Sequence, residues 1–359
     1  MKFKAKNFIC KNCGGTLRFD PVSDELKCDF CGSIEHIKRS NIEIKEYDYK
    51  EGLSKLSTKK VDSREIICNK CGAKIELESY LISSNCPYCN TPLITDFTKP
   101  IEPKSLIPFN ITQKDAQERF KKWIGSLWFA PTQLKDFVDG NRKLTGYYLP
   151  YWTFDSQTET RYSGERGDIY FVKVQRRVEI NGREEIVEEE EPRIRWTPVR
   201  GEVYNSFDDI TVGASKTLPH SLLDSLAPWN TKELIPFNQK YLSGFVSEEY
   251  SIDLNDGFRY AKKEMERIII RTIKADIGGD QQRIGYMKTE YNNITYKDVL
   301  FPIYSAEFKW KGKVYDYLIN GQSGKVVGER PYSIVKISIA IISCLTLLAI
   351  LYYFYHSTT

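Results

Sequence analysis

Eight of the nine cysteines form four Cys-x-x-Cys pairs, and these pairs fall into two sets with the same internal spacing. In each set, fourteen residues separate the first pair from the second. The sets are Cys10, Cys13, Cys28 and Cys31, followed by Cys68, Cys71, Cys86 and Cys89. A Cys-x-x-Cys turn directs two thiolates to one point, so two such turns supply the four sulfur ligands of a tetrahedral zinc site. The spacing therefore predicts two zinc ribbons with four cysteine ligands each, and two structural Zn²⁺ ions per chain.

Other uses of paired cysteines fit the sequence less well. Disulfides require an oxidising compartment, and the opening residues, MKFKAKNF, do not resemble a secretory signal peptide. A redox Cys-x-x-Cys usually occurs once, and iron–sulfur spacings place three cysteines close together. The residues that directly follow the four pairs are Gly14, Gly32, Gly72 and Asn90. Glycine and asparagine tolerate the left-handed turn after such a pair, which favours the zinc interpretation.

The sequence offers little for catalysis. It contains three histidines, and every cysteine outside the apolar C-terminal segment belongs to a predicted ribbon. A closed, all-sulfur zinc site leaves no position for a catalytic water. The segment 321–326, GQSGKV, lacks the spacing of a phosphate-binding loop, which excludes the helicase and ATPase classes. We therefore expect a protein that is not an enzyme.

The segment 337–355, ISIAIISCLTLLAILYYFY, contains no charged residue. At about 1.5 Å per residue it reaches roughly 28 Å, close to the thickness of the hydrocarbon core of a bilayer. Tyrosine and phenylalanine at 352–355 are typical of a membrane interface. The segment therefore predicts a transmembrane helix with the lipid bilayer as its partner, in which Cys344 is an apolar residue rather than a zinc ligand.

Basic residues precede this segment, namely Lys325, Arg330 and Lys336, whereas His356 and three small polar residues follow it. The positive-inside rule then places the preceding residues in the cytoplasm. Reduced zinc thiolates require the same side of the membrane. We therefore expect a single-pass, tail-anchored protein whose N-terminal domains are cytoplasmic.

The composition of the remaining chain is that of a globular protein, with 28% charged residues, 13% aromatic residues and a net charge of +4 over 359 residues. The predicted domains are zinc ribbon 1 at 1–39, a linker at 40–62, zinc ribbon 2 at 63–98, two α+β units at 99–230 and 231–331, and the transmembrane helix at 337–355. Thr112 is expected to cap a helix at 113–127, where apolar residues recur at helical spacing.

In residues 169–187 apolar and polar side chains alternate, which predicts two strands. Asn181-Gly182 lies between them and is the preferred turn of a β-hairpin. The acidic run 188–191 then predicts a solvated hairpin arm, with a docking patch for a basic partner as the alternative.

The pentapeptide LIPFN occurs at 106–110 and again at 234–238. We predict a helix after each copy, the second at 256–277, and then a strand that begins at Pro150 or Pro302. The interval between the pentapeptide and the strand is longer in the second copy, and its extra residues are expected near 241–254. This pattern predicts an α+β fold with a duplicated helix-on-antiparallel-sheet unit. A chance match of five residues is the alternative.

The charge of the ribbons favours a protein partner over nucleic acid. Ribbon 1 carries eight basic and five acidic residues, ribbon 2 carries three and four, and each zinc centre with four thiolates adds about −2. Phosphate binding needs a basic stripe with several contacts, for which the candidates are Lys2, Lys4, Lys6 and Lys11. Phe8, Phe30 and Tyr88 either anchor a protein partner or pack inside the ribbons, and Tyr88 is the best anchor candidate. We expect the ribbons to fold independently of residues 100–330.

Further motifs resemble those of a bacterial family of membrane-anchored proteins with paired zinc ribbons. They are LIPFN, Lys122-Trp123 followed by Trp128-Phe-Ala-Pro, GYYLPYWTFD, and NGQSGKVVGERPYSIVKI. The family is often labelled transcription-factor-B-type zinc ribbon or primosomal helicase N′-like, and it has no established activity. The resemblance covers most of residues 63–337 and implies the paired-ribbon architecture in a bacterial plasma membrane. The helicase label implies nothing here, because only the paired cysteines match that enzyme.

These features together predict a zinc-binding scaffold or adaptor, anchored in a membrane, that binds a protein partner from the cytoplasmic side. The alternative is a membrane-tethered nucleic-acid-binding protein that uses zinc ribbon 1.

Overall fold

The computed structural model of the chain describes residues 2–4, 6–40, 42–55, 64–78, 80–95, 101–134, 144–180 and 183–357. The N-terminal part consists of short strands and one short helix. Its elements are β1 Lys2–Lys4, β2 Leu17–Asp20, β3 Glu25–Cys28, β4 Ile34–Glu35, β5 Tyr47–Asp48, α1 Tyr49–Lys55, β6 Arg64–Ile67, β7 Lys74–Leu77, β8 Leu81–Asn85 and β9 Pro92–Ile94.

Longer elements follow. They are β10 Ser105–Leu106, α2 Gln113–Ser126, β11 Thr145–Ile180, β12 Arg183–Gly213, α3 His220–Ser225, β13 Ile235–Pro236, β14 Val246–Glu248, α4 Leu254–Ile277, β15 Gln281–Trp310, β16 Lys313–Asn320, β17 Val326–Gly328 and α5 Ile334–Ser357. Both helices predicted in the α+β region are present, with ends within two residues of the predicted ranges. The observed class is α+β, as predicted.

Eleven of the described strands form one large sheet. At its centre β11 and β15 run antiparallel, from Thr145 opposite Ser305 to Gly167 opposite Gln281. β12 pairs with β11 as far as the end of the hairpin, so beyond Gly167 these two strands continue as a two-stranded arm. The acidic run 188–191 lies exposed on this arm, as predicted. The predicted turn at 181–182 lies outside the described residues.

The α+β region contains two units with the same order of elements. One unit consists of β10, α2 and β11, and the other of β14, α4 and β15. β10 runs parallel to β15, and β14 runs parallel to β11. In the central antiparallel pair Leu149 lies opposite Phe301. Pro150 lies one position away on one side of that pair, and Pro302 lies one position away on the other side. A local two-fold axis that passes between Leu149 and Phe301 therefore relates the two units.

The second LIPFN segment does not begin the second unit, contrary to the interpretation of the repeat. It forms β13, which pairs antiparallel with β10, and a 3-10 turn at Gln239–Leu242 follows it instead of a helix. The equivalent of β10 is β14, because each leads into a helix with the same cap. The Thr112 side chain accepts a hydrogen bond from the Asp115 N–H, and the Asp253 side chain accepts one from the Asp256 N–H. Pairing and capping define the unit, and the five-residue identity does not.

Helices α2 and α4 cover the same face of the sheet. Phe120 of α2 stacks on Tyr317 with ring centroids 3.7 Å apart. α4 approaches Trp152 so closely that a side chain at Gly257 would contact the indole ring. The opposite face is covered by α3 and the segment after it, where Tyr151 packs edge-on against Trp229 with ring centroids 5.8 Å apart. Side chains therefore alternate along β11 between two apolar layers.

The ribbons share the core of the α+β region, and this packing argues against the expectation that they fold independently. Leu17, Phe19 and Leu26 of ribbon 1 belong to the same buried cluster as Tyr148 and Tyr304 of the sheet. From ribbon 2, β8 pairs with β14, and from the predicted linker β5 pairs with β15. The physical reason is that the apolar faces of these short segments are completed only by the sheet. The domain ranges themselves stay a prediction.

Candidate metal centres

All four Cys-x-x-Cys turns have the same backbone hydrogen bonds. The N–H of the first cysteine donates to the carbonyl five positions later, and the N–H four positions later donates back to the carbonyl of that cysteine. At Cys10 these distances are 2.8 Å to Gly15 and 2.9 Å from Gly14. The residues directly after the pairs have φ between 57° and 74°, and they are Gly14, Gly32, Gly72 and Asn90. The left-handed turn that was inferred from glycine and asparagine at these positions is confirmed.

The turns bring the eight sulfurs into two groups of four. Within each group all sulfur atoms lie within 4.8 Å of one another. The closest pairs across the turns are 3.5 and 3.7 Å apart in the first group, and 3.7 and 3.8 Å apart in the second. With Zn–S bonds of about 2.3 Å, the edge of a tetrahedron of four sulfurs around zinc is about 3.8 Å. Both groups therefore fit a tetrahedral metal ion of the size of Zn²⁺, and all eight predicted ligand residues are brought together.

Hydroxyl groups lie next to one sulfur in each centre. The Ser33 hydroxyl is 3.0 Å from the Cys31 sulfur, and this hydrogen bond lowers the pKa of Cys31 to about 6. The Thr91 hydroxyl is 3.2 Å from the Cys89 sulfur, and it lowers the pKa of Cys89 to about 6. Zinc binds the thiolate form, so these two residues favour the ligand state at neutral pH.

The opposite shift occurs at Cys13 and Cys71. A hydrogen bond from a backbone N–H lowers the pKa of each thiol, but neighbouring sulfurs and burial together raise it to about 12. The four thiols of each centre therefore titrate together rather than one by one. Zinc binds them as thiolates, so metal binding releases protons and the affinity for zinc falls as the pH falls.

Arg18 connects the two ribbons. Within ribbon 1 its Nε donates to the Asp29 carboxylate at 2.8 Å. Its Nη1 donates to the Asn85 side-chain oxygen at 3.0 Å, and its Nη2 donates to the carbonyl of Asn90 in a turn of ribbon 2. An arginine fork makes several directed hydrogen bonds at once, so it fixes the orientation of what it joins. The two centres are thus held in a defined relation to each other.

The three aromatic residues considered as anchors have different environments. Phe30 and Tyr88 are 73% and 74% exposed, whereas Phe8 packs against the core cluster. The Lys70 ammonium of ribbon 2 lies 5.6 Å from the ring centroid of Phe30. Tyr88 is therefore exposed in ribbon 2 within the turn that carries Cys86 and Cys89, while Phe30 faces the neighbouring ribbon.

A buried charge cluster lies outside the ribbons, and sequence reasoning missed it. The ammonium of Lys297, whose side chain is 8% exposed, is 2.8 Å from carboxylate oxygens of Glu46 and Asp209 and 3.6 Å from Asp155. Glu46, Asp155 and Asp208 are also close enough to share a cation. Because Lys297 already supplies a positive charge there, this arrangement is explained as a structural ion-pair network.

At the C-terminal end, the helix Ile334–His356 is long and apolar enough to cross a membrane, and no part of its apolar window is buried within the protein. It is the one such helix among the described residues. Cys344 lies exposed on it. The helix contains the whole predicted span and begins three residues before it, so Lys336 lies in its first turn.

The chain is similar along almost its whole length to the uncharacterized protein YdjG of Bacillus subtilis (strain 168). The two are 26% identical over 354 residues, and the alignment covers 92% of each. No family model and no solved structure matches the chain. The two four-cysteine groups fit the paired zinc-ribbon architecture of the family that the sequence motifs resemble.

Proposed function

We propose that this protein is a zinc-binding, membrane-anchored adaptor that presents two zinc ribbons to a protein partner in the cytoplasm. α5 is the membrane anchor, and the ribbons and sheet form the cytoplasmic part. The role is binding rather than catalysis, because four sulfurs in each centre complete the coordination of a Zn²⁺ ion and leave no open position for substrate. The two metal ions have a structural role.

The exposure of Tyr88 carries this proposal. Its ring is 74% exposed although it lies between two zinc ligands in a turn with fixed backbone hydrogen bonds. A tyrosine on such a rigid turn has few degrees of freedom to lose on binding. Aromatic side chains of this kind provide a large share of the binding energy in protein interfaces.

The surroundings of Tyr88 also suit a protein segment. The residue lies at a cleft of about 750 Å³ between the two ribbons and the sheet. Its walls include Arg18 and Pro87 from the ribbons and Gly244 and Thr112 from the α+β region. Polar walls beside an exposed aromatic ring are typical of interfaces in which one anchor is surrounded by hydrogen-bonding groups.

The test is purification of the full chain from membranes after crosslinking, with quantitative identification of the proteins that accompany it. Tyr88→Ala should lose a specific partner while both zinc ions are retained. Tyr286→Ala is the matched control, since Tyr286 is also exposed, at 60%, but lies on β15 far along the sequence from either ribbon. Equal partner recovery with both variants would remove Tyr88 as the anchor.

Nucleic-acid binding by ribbon 1 is the second candidate, and fewer observations support it. Lys11 is exposed, but the Lys6 ammonium lies 3.5 Å from the side-chain oxygen of Gln239. The side chains of Lys2 and Lys4 lie outside the described residues. Binding of DNA or RNA whose affinity falls as the salt concentration rises would establish this function instead. Each lysine that is neutralised should then reduce the slope of log affinity against log salt concentration by about one unit.

A further inference from the structure

The loop after α2 lies against the start of the apolar helix α5. The N–H of Ser333 donates to the carbonyl of Phe129 at 2.7 Å, and the ammonium of Lys336 donates to the carbonyl of Ala130 at 2.8 Å. Ser333 also accepts a hydrogen bond from the Lys336 N–H at 3.4 Å, which caps the first turn of α5. These bonds fix the loop at the level where the apolar helix begins.

The loop presents aromatic surface at that level. Trp128 is 79% exposed and Phe129 is 40% exposed, although Leu127 and Ala130 on either side are buried. Trp128 is the most exposed tryptophan among the described residues. A water-exposed indole ring is unfavourable in a soluble domain, whereas tryptophan is enriched at the headgroup level of bilayers, where its ring is buried and its N–H finds a partner.

A groove of about 600 Å³ separates the end of α2 from the first turns of α5. Its walls are mostly apolar, and they are formed by Gly125, Ser126, Leu127, Trp128, Lys336, Ile339, Ala340 and Ser343. At a rise of about 1.5 Å per residue, Ser343 lies roughly 10 Å further along the helix axis than Lys336. The groove therefore runs from a cationic end near the start of the apolar helix to an apolar end that is two turns deeper.

We propose that this groove binds one phospholipid of the leaflet that α5 enters, with Trp128 and Phe129 inserted into the bilayer interface beside it. The inference rests on the proposed membrane anchoring by α5. The phosphate lies at Lys336, whose ammonium has three donors and uses one of them for Ala130. An acyl chain lies along Ile339 and Ala340 against the indole ring, where Gly125, which has no side chain, and the small side chain of Ser126 leave room for it.

The continuity of the groove with α5 is the reason to choose a lipid as the occupant. One wall of the groove is the helix that lies in the bilayer, so hydrocarbon reaches the groove without any separate binding step. Lys336 adds a positive charge at the depth of the lipid phosphates, which attract basic groups at membrane surfaces. The consequence is that the cytoplasmic part is held at a defined orientation to the membrane, because it contacts the bilayer at two places.

Depth-dependent quenching of tryptophan fluorescence tests the proposal. The full chain is reconstituted into vesicles of phosphatidylcholine and phosphatidylglycerol that carry a nitroxide near the headgroup or at the end of an acyl chain. We expect strong quenching by the shallow nitroxide and weaker quenching by the deep one. Trp128→Phe should lose most of the quenched signal. Trp196→Phe should keep it, since Trp196 lies at the base of the hairpin arm, where the Arg283 guanidinium carbon is 3.8 Å from the centroid of its ring.

The groove itself is tested by native mass spectrometry of the detergent-solubilised full chain. Wild-type protein should retain one phospholipid, and Ser343→Trp should lose it because the indole ring fills the groove. Ser338→Trp should retain the lipid, because Ser338 is exposed and does not line the groove.

The two experiments separate the lipid site from the membrane anchor. If the nitroxides do not quench Trp128 in a chain that is fully integrated into the vesicles, the lipid site is wrong and the anchor stands. A chain that does not integrate at all would overturn both. If Trp128 is shielded from the nitroxides and the protein is a dimer, the groove is occupied by a second copy of the chain.

Discussion

Loss of zinc from ribbon 1 should open part of the α+β core as well as the ribbon. The change that tests this is Cys13→Ser, because Cys13 is exposed and its replacement removes a ligand without altering the packing. Structural zinc stabilises small modules by about 10–16 kcal/mol at neutral pH, so a ribbon without it should unfold. The question is how far the unfolding reaches.

The contacts of ribbon 1 give the expected size of the effect. Leu17, Phe19 and Leu26 are at most 5% exposed, and each buried side chain of this kind contributes about 1.5–3 kcal/mol. Their loss therefore removes roughly 4.5–9 kcal/mol from the shared cluster, which is comparable to the whole stability of a typical domain. Their partners in the core include Tyr241, whose ring centroid is 4.9 Å from that of Phe19, and Ser243, whose hydroxyl donates to the Leu17 carbonyl at 2.7 Å.

Hydrogen exchange measured by mass spectrometry on the full chain is the assay. In Cys13→Ser, amide protection should fall in residues 6–40 and also in residues 239–248, which include the 3-10 turn and β14. Cys344→Ser is the matched control, since this cysteine lies on α5 and belongs to neither centre. Wild-type protection of residues 239–248 in a chain whose ribbon 1 has lost its protection would refute the shared core.

Four further outcomes are expected. Metal analysis should find two zinc ions per wild-type chain and one in Cys71→Ser; two in the variant would contradict the ligand assignment. Burial raises the pKa of Asp298 from 3.8 to about 6, so its ionisation in the folded protein is unfavourable and stability falls as the pH rises across that interval. Asp298→Asn should therefore raise the free energy of unfolding by about 3 kcal/mol at pH 8, with the gain vanishing near pH 4, and a gain that is independent of pH would rule out this cause. Lys297→Met leaves three carboxylates without their partner and should cost about 3–5 kcal/mol in a denaturant titration. The matched change Lys288→Met, at a 64% exposed side chain, should alter stability by less than about 1 kcal/mol. Finally, the full chain should stay with membranes in alkaline carbonate, and a protease on the cytoplasmic side should digest it; full protection would reverse the orientation.

Local sequence was sufficient for the features whose chemistry is local. The spacing of the cysteines predicted both sulfur groups, because a Cys-x-x-Cys turn is closed by hydrogen bonds among six consecutive residues. Thr112 indicated the start of α2, since a capping box needs only four residues. The uncharged segment predicted the apolar helix in the same way, because length and hydropathy alone decide whether a helix can cross a bilayer.

Tertiary structure decided everything that depends on pairing between distant segments. The second LIPFN looked like the start of a repeat, but strand order placed β14 in that role, because pairing across the sheet depends on which backbone groups find partners. Glu46 and Lys297 meet although about 250 positions separate them, and no local pattern marks either one. The same holds for the packing of ribbon 1 into the core and for Trp128 beside α5. Burial and long-range hydrogen bonds are properties of the folded chain, so the sequence determined the parts of this protein and the fold decided which of them touch.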